Sequence, residues 1–202
     1  VGESGSGKTT AARVVVGLSS RDGGELTLEG EEMASEVQDR TRSQRAALRM
    51  VFQNPGASLN PKLPIRHAIL RALRKFAGLG RAESRRRAQE LMEAVGLSPE
   101  YLDGPPTELS GGQQKLVALA RALMVGRSLL LLDEPFSGLD PLSVETIREI
   151  IGDLQKNSIS SVISDHNISS TLMSVDRAIL ISNSLVIAEG RPKELINNKI
   201  AK

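Results

Sequence analysis

Three glycines, one lysine and two threonines fall within nine residues, Gly2-Glu3-Ser4-Gly5-Ser6-Gly7-Lys8-Thr9-Thr10, and no other segment restricts the fold of this chain as strongly. Glycines at this spacing let the backbone curl until successive N–H groups, and the N-terminus of the helix that follows, face one anion. The order Gly2-x4-Gly7-Lys8-Thr9 is that of a phosphate-binding P-loop. Glu3, Ser4, Gly5 and Ser6 supply backbone donors, and Lys8 would reach the β- and γ-phosphates. Thr9 offers a hydroxyl to Mg²⁺, and Thr10 can donate to the α-phosphate. A glycine-rich turn that merely caps a helix would read the same way in isolation, so the downstream residues decide. Such loops normally follow a buried strand, and the chain opens on the loop itself at Val1. One or more strands are therefore expected to precede it outside this chain.

Beyond the loop, strand-like and helix-like segments alternate. Thr9 to Leu18 reads as the helix opened by the glycines, and Glu25 to Gly30 alternates like a short exposed strand before a turn. Ser43 to Leu48 reads as helix, Met50-Val51-Phe52 as a short strand, and Gln53-Asn54-Pro55-Gly56 as a break. Ile65 to Phe76 and Ala82 to Val95 have helical spacing with no strand between them, which predicts a helical insert. Ser110-Gly111-Gly112 opens another helix through Met124. Leu129 to Leu132 is a continuous apolar run, as expected of a parallel strand covered on both faces. Leu142 to Leu154 reads as helix, Ser161 to Ser164, Ala178 to Ile181 and Leu185 to Ala188 as strands, and Pro192 to Asn197 as a short helix. This alternation predicts an α/β fold on an open, largely parallel sheet.

Composition narrows the classes. At 202 residues, 40% hydrophobic and 25% charged, the chain can bury a real core, which excludes a disordered tail or a stapled mini-protein. The absence of cysteine excludes disulfides, thiolate metal sites and a cysteine nucleophile, and fits a reducing, cytosolic compartment. The 26 basic and 24 acidic residues leave +2, so bulk charge favours neither nucleic acid nor anionic lipid. The longest apolar runs fall far short of the roughly 20 residues of a membrane-spanning helix. Any membrane crossing is left to other subunits. Basic residues are uneven: residues 1–127 hold 15 Arg and 4 Lys, and 128–202 hold 3 Arg and 4 Lys. A chain of composite origin would show this shift, but a basic helical subdomain followed by an apolar core explains it without one.

The apolar run ends in Asp133-Glu134. A buried strand would deliver Asp133 to the sheet edge that carries the P-loop, where an acid holds the Mg²⁺ shell. Glu134, one residue on, would point differently and could orient and polarise a water as general base. Alternatively, Asp-Glu-Pro is only a polar strand end before a helix.

Leu109-Ser110-Gly111-Gly112-Gln113-Gln114, then Leu132-Asp133-Glu134-Pro135, Ser137-Gly138-Leu139-Asp140 and Asp165-His166, resemble the ATPase domain of ATP-binding cassette (ABC) proteins over nearly the whole chain. The resemblance implies a P-loop NTPase of RecA-like fold, with core 1–54 and 126–202 and a helical subdomain at 55–125. It implies ATP and Mg²⁺ as ligands and a head-to-tail dimer, in which Ser110, Gly111, Gly112 and Gln113 of one copy close over the γ-phosphate held by the other. It further implies that Gln53 touches Mg²⁺ and the attacking water, that His166 hydrogen-bonds the γ-phosphate, and that Asp140 lies at the dimer seam. Implied partners are transmembrane permease subunits, a second ABC domain and a periplasmic substrate-binding protein. The implied location is the cytoplasmic face of the inner membrane. His67, in a basic helical stretch, reads as a surface or core residue only.

Met50 to Pro61 is similar to importer ATPases for oligopeptides, dipeptides and nickel. Phe136 to Val144 and Ser164-Asp165-His166-Asn167 look more like the ATPase of the lipopolysaccharide exporter. The importer reading carries more weight, because the segment after Gln53 is nearest the implied membrane-domain contact. The resemblance also admits a soluble, non-transport ABC ATPase or a non-hydrolysing nucleotide-binding module. The run Arg81 to Arg87 is interleaved with Glu83, Glu90 and Glu93 and lacks stacking aromatics, so a solvated face is preferred over a nucleic-acid grip.

Overall fold

Leu129–Asp133 forms the middle strand of a three-stranded parallel sheet in the computed structural model, which describes residues 1–124 and 129–197. We label this strand β4. It pairs on one side with β3 (Leu48–Val51) and on the other with β5 (Ser160–Ser164), with Leu48 opposite Leu129 and Asp133 opposite Ser164. Leu130, Leu131 and Leu132 are all buried, as a strand covered on both faces requires. The alternation splits them. Leu131 packs with Ala12, Met33 and Leu48, whereas Leu130 and Leu132 join a larger cluster with Leu116, Leu119, Ile147 and Ile163.

Helix α1 (Lys8–Val16) covers the first face and ends at Gly17, which is left-handed at φ 79°. A small hairpin, β1 (Thr27–Leu28) and β2 (Glu31–Glu32), adds Leu26, Leu28 and Met33 to that side. Its two-residue turn holds Glu29 and Gly30 at positive φ, so the expected exposed strand has an immediate antiparallel partner that the acidic sequence of β2 conceals. The other face is covered by α5 (Gly111–Leu123) and α6 (Pro141–Lys156). Helices α3 (Ile65–Ala72) and α4 (Arg81–Ala94) pack with α5, and no strand intervenes. Helix α3 continues into a π-turn at Leu73–Ala77, and α4 carries its arginines on a solvated face where Arg86 and Arg87 both bind Glu90 at 3.0 Å. His67 is exposed on α3.

The chain closes with α7 (Ile168–Leu172), the antiparallel pair β6 (Ala178–Ser182) and β7 (Leu185–Gly190), and α8 (Pro192–Asn197). Val1 and Gly2 lie between this pair and the parallel sheet. Gly2 bridges Ile181 and donates its N–H to Asp165 O at 3.3 Å, while Ile181 N–H donates to Val1 O at 2.8 Å. Several boundaries differ from the sequence reading by one or two residues. Strand β3 starts at Leu48, not Met50, because α2 (Arg42–Ala47) ends a residue early and Leu48 is drawn into the sheet by Leu129. The five-residue α7 has too few turns to show a period, so the sequence gives no sign of it. The junction expected near residue 126 lies outside the described residues.

Candidate functional site

The glycine loop is built as its spacing predicts. Gly5 (φ 80°) and Gly7 (φ 93°) are left-handed, the region in which only glycine is unstrained, and Gly7 passes directly into α1. At Gly2 a Cβ would stand 2.0 Å from Ile181 O, so this position must be bare for the loop to leave the sheet. Ser6 and Lys8 are buried, with Glu3, Ser4 and Gly5 exposed around them, and Thr9 and Thr10 are exposed at the start of α1. The Lys8 ammonium lies under the loop, donating to Gly2 O at 2.7 Å, to Glu3 O and to Ser6 Oγ at 3.4 Å.

Asp133, at the C-terminal end of β4, is 4% exposed and accepts from Thr9 Oγ1 at 3.1 Å and from the Ser164 hydroxyl. One carboxylate and two hydroxyls therefore meet beside the first turn of α1. This hard-oxygen set suits Mg²⁺, which takes few protein ligands and completes its shell with phosphate and water. No group of three or more His, Cys, Asp or Glu side chains suited to a metal occurs among the described residues.

Glu134 sits where β4 breaks, at φ 47°, an unusual conformation for a side chain of its size. Its N–H donates to Ser164 O at 2.7 Å, and its C=O accepts from Lys115 Nζ at 2.9 Å. Two of the three expected catalytic residues approach the Oε2 of the third, with Gln53 Nε2 donating at 2.7 Å and His166 Nδ1 standing 3.5 Å away. His166 Nδ1 is also 3.6 Å from Oδ1 of the fully buried Asp165. Gln53 follows β3, Glu134 follows β4 and His166 follows β5, so parallel strands deliver all three to one edge.

Lys115 belongs to none of the sequence motifs. It is 8% exposed on α5, and burial lowers its pKa despite the opposing pull of Asp165 and Glu134. Its ammonium donates to Glu134 O and, at 2.6 Å, to Ser137 O, holding the turn after β4. The available signal is a lone lysine beside the apolar stretch Leu116 to Ala120, which needs carbonyl acceptors if it is buried.

The segment Ser110 to Gln113 forms a separate feature. Ser110 Oγ accepts from Gln113 N at 3.2 Å, and Gln113 Oε1 accepts from Ser110 N at 2.9 Å, a capping box that fixes the start of α5. Gly111 has open space where its side chain would be, whereas a Cβ on Gly112 would meet Ser143 Oγ at 2.8 Å and Asp140 Oδ2 at 3.5 Å. Asp140 caps α6 through Ser143 N at 3.0 Å and Ser143 Oγ at 2.6 Å, and these bonds hold its carboxyl below the usual range. Asp140 thus stands beside the Ser110 segment of its own chain.

A glycine cradle on a helix N-terminus, a lysine beneath it, an acid and hydroxyls at its rim and a glutamate at the adjoining strand end define a P-loop nucleotide triphosphatase. The ABC transporter family profile matches residues 1–137. The chain is 34% identical over its full length to the lipopolysaccharide export ATP-binding protein LptB of Haemophilus influenzae, of which it spans 82%. It is 37% identical, over 96% of its length, to the di/tripeptide transport ATP-binding protein DppF of Pseudomonas aeruginosa, of which it spans 59%. Among solved structures, the ADP- and phosphate-bound dimer of the ATP-binding cassette MJ0796 superposes with a TM-score of 0.82 at 27% identity, covering 95% of this chain and 83% of that one. CbiO1 of Clostridium perfringens, part of the ABC transporter complex cbiONQ, superposes with a TM-score of 0.83 at 27% identity, over 98% and 78%. The chain belongs to the ABC transporter family and carries its ATP-binding, ATP-hydrolysing domain.

Proposed function

We infer that the chain hydrolyses ATP to ADP and phosphate at the Lys8–Asp133–Glu134 edge and so powers a transporter whose membrane-spanning parts are separate subunits. The convergence of Gln53 and His166 on Glu134 Oε2 carries this reading, because it groups the proton-handling residues beside the phosphate cradle. The loop N–H groups and Lys8 would hold the phosphates, with Lys8 exchanging its carbonyl acceptors for phosphate oxygens. Thr9 and Asp133, with Gln53, would hold Mg²⁺. When bound, that ion neutralises charge on the phosphate oxygens. Glu134 accepts the proton of the attacking water as the bond to the ADP oxygen breaks, and Gln53 and His166 keep its carboxylate in register. Residues 1–54 and 126–202 would form the catalytic core and 55–125 the helical subdomain.

Ser110, Gly111, Gly112 and Gln113 would meet the nucleotide of a second ABC domain, with Asp140 at the seam. The open space at Gly111 suits close approach of that segment to an anion. A cleft of about 230 Å³ lined by Phe52, Ala72, Phe76 and Ala118, next to Gln53, would receive part of a permease subunit at the cytoplasmic face of the membrane. No helix among the described residues is long and apolar enough to cross a membrane itself. Import of peptides or nickel, with a periplasmic binding protein, is supported by the segment Met50 to Pro61 and by DppF. An export role is favoured instead by the Phe136 to Val144 segment and by the likeness to LptB along the whole chain. Magnesium-dependent phosphate release tests the ATPase, and the identity of the polytopic subunit that copurifies separates import from export.

A further inference from the structure

At the start of α5 three N–H groups are taken within the chain. Gln114 N–H goes to Ser110 O at 2.9 Å, Gln113 N–H to Ser110 Oγ at 3.2 Å and Ser110 N–H to Gln113 Oε1 at 2.9 Å. The N–H groups of Gly111 and Gly112, in the first turn, have no acceptor within the helix. These two, with the Ser110 hydroxyl, are the donors that the segment offers to an approaching anion. Their direction depends on the capping box, and the box depends on one amide side chain, that of Gln113.

That amide is held at its other end as well. Gln113 Nε2 donates to the Tyr101 hydroxyl at 3.3 Å. Tyr101 is the one tyrosine of the sequence and belongs to none of its motifs. It lies on a short 3₁₀ turn, Pro99–Asp103, between α4 and α5. Its half-buried ring packs against the main core cluster, which includes Ile65 and Ile69 of α3 and Leu91 and Met92 of α4. The turn is fixed in its own right, since Gly104 O accepts from Ile65 N–H at 3.0 Å. The packing of the helices therefore sets where the phenol oxygen stands. An amide has one donor end and one acceptor end, and with Nε2 on this oxygen it is Oε1 that turns to Ser110 N–H. Gln114 steadies the approach to the segment, donating to Pro106 O and to Leu109 O at 3.2 Å each. Without the phenol oxygen the Gln113 amide keeps the Ser110 bond alone, and the first turn can re-aim its free N–H groups.

We propose that Tyr101 is a positioning residue for the second nucleotide contact: its hydroxyl, through Gln113, keeps the Ser110, Gly111 and Gly112 donors aimed at the phosphate held by a partner ABC domain. This rests on the reading that the segment meets the nucleotide of a second domain.

Tyr101→Phe removes one oxygen and keeps the ring. The test uses the whole chain in the Glu134→Gln background with ATP and Mg²⁺. Analytical ultracentrifugation gives the dimer dissociation constant, fluorescent-nucleotide titration gives the affinity of the dilute monomer, and circular dichroism checks the fold. Tyr101→Phe should weaken the ATP-held dimer about 20-fold, from about fivefold for each of the two copies of the bond, with monomer affinity for nucleotide unchanged. Gln113→Met should weaken the dimer likewise, and adding Tyr101→Phe to it should cost nothing more, because the two side chains act as a unit. An undiminished dimer in Tyr101→Phe overturns the proposal. So does a full further weakening on the Gln113→Met background, which would make Tyr101 act by another route, or a matching loss of monomer affinity, which would mark a defect of the whole fold. If the chain with Tyr101 in place forms no ATP-held dimer, the two-domain reading falls and the proposal with it. A strong dimer that is indifferent to Tyr101→Phe removes the proposal and leaves that reading standing.

Discussion

Gln53 and Glu134, 81 residues apart in the chain, meet side chain to side chain, the Gln53 amide donating to Glu134 Oε2 at 2.7 Å. This contact ties the end of β3 to the end of β4 and fixes one oxygen of the carboxylate, leaving Oε1 for water. Glu134→Gln keeps the shape but removes the carboxylate proposed as the base. Nucleotide affinity should remain within a few fold of wild type while turnover falls at least about 100-fold. Fluorescent-nucleotide titration and phosphate release measure the two quantities separately, and size-exclusion chromatography with ATP should show the variant held as a dimer. Turnover at the wild-type rate would remove Glu134 from its role.

Lys115 contacts the main chain at Glu134 and Ser137, so its expected effect on turnover runs through the position of Glu134. Lys115→Met removes the donor that holds Glu134 O and Ser137 O and leaves both carbonyls short of a partner, at a cost of about 1–3 kcal/mol. The expected pattern is a lower kcat with nucleotide affinity largely kept, since no part of the glycine loop depends on this ammonium. Equal losses in affinity and kcat would mark a general folding defect instead.

Asp140 gives a pH dependence with a definite sign. Its carboxyl is held below the usual range by the Ser143 hydroxyl and N–H, so the stability it contributes is fully present above the ordinary carboxylate range and is lost as pH falls through the depressed value. The difference in Tm between wild type and Asp140→Asn should be constant between about pH 5 and 8 and shrink below that window. A difference that grew with acidification would contradict the assignment.

Arg40 is 3% exposed and donates to Ala34 O at 2.8 Å, Val15 O at 2.7 Å and Val14 O at 3.4 Å, which closes the C-terminal end of α1. Arg40→Met should destabilise the fold by about 2 kcal/mol or more. Arg40→Lys should rescue little, because a point donor cannot serve three carbonyls. Chemical denaturation with a common m-value measures both.

The site is legible in the sequence wherever backbone geometry dictates residue type. The glycines of the loop, the apolar run ending in an acid pair and the serine before two glycines each carry their reason locally, and the parallel sheet follows from the alternation around Leu129 to Leu132. Residues that act through a carbonyl are hidden. Lys115 and Arg40 read as surface charges until packing buries them, and nothing local in a sequence specifies which main-chain oxygens a cation will find. The hairpin partner β2 is hidden for a related reason, since Glu31–Glu32 has neither the composition nor the alternation of a strand and is held by its turn.

Helix α1 is pinned at both extremities, by Thr9 on Asp133 in front and by Arg40 behind. The rear clamp stands away from the glycine loop, whereas the front one is made by the same hydroxyl and carboxylate that would hold Mg²⁺. A change of cargo at the tip would therefore be felt first at the Thr9–Asp133 pin, with the Arg40 clamp keeping the far end of the beam in place.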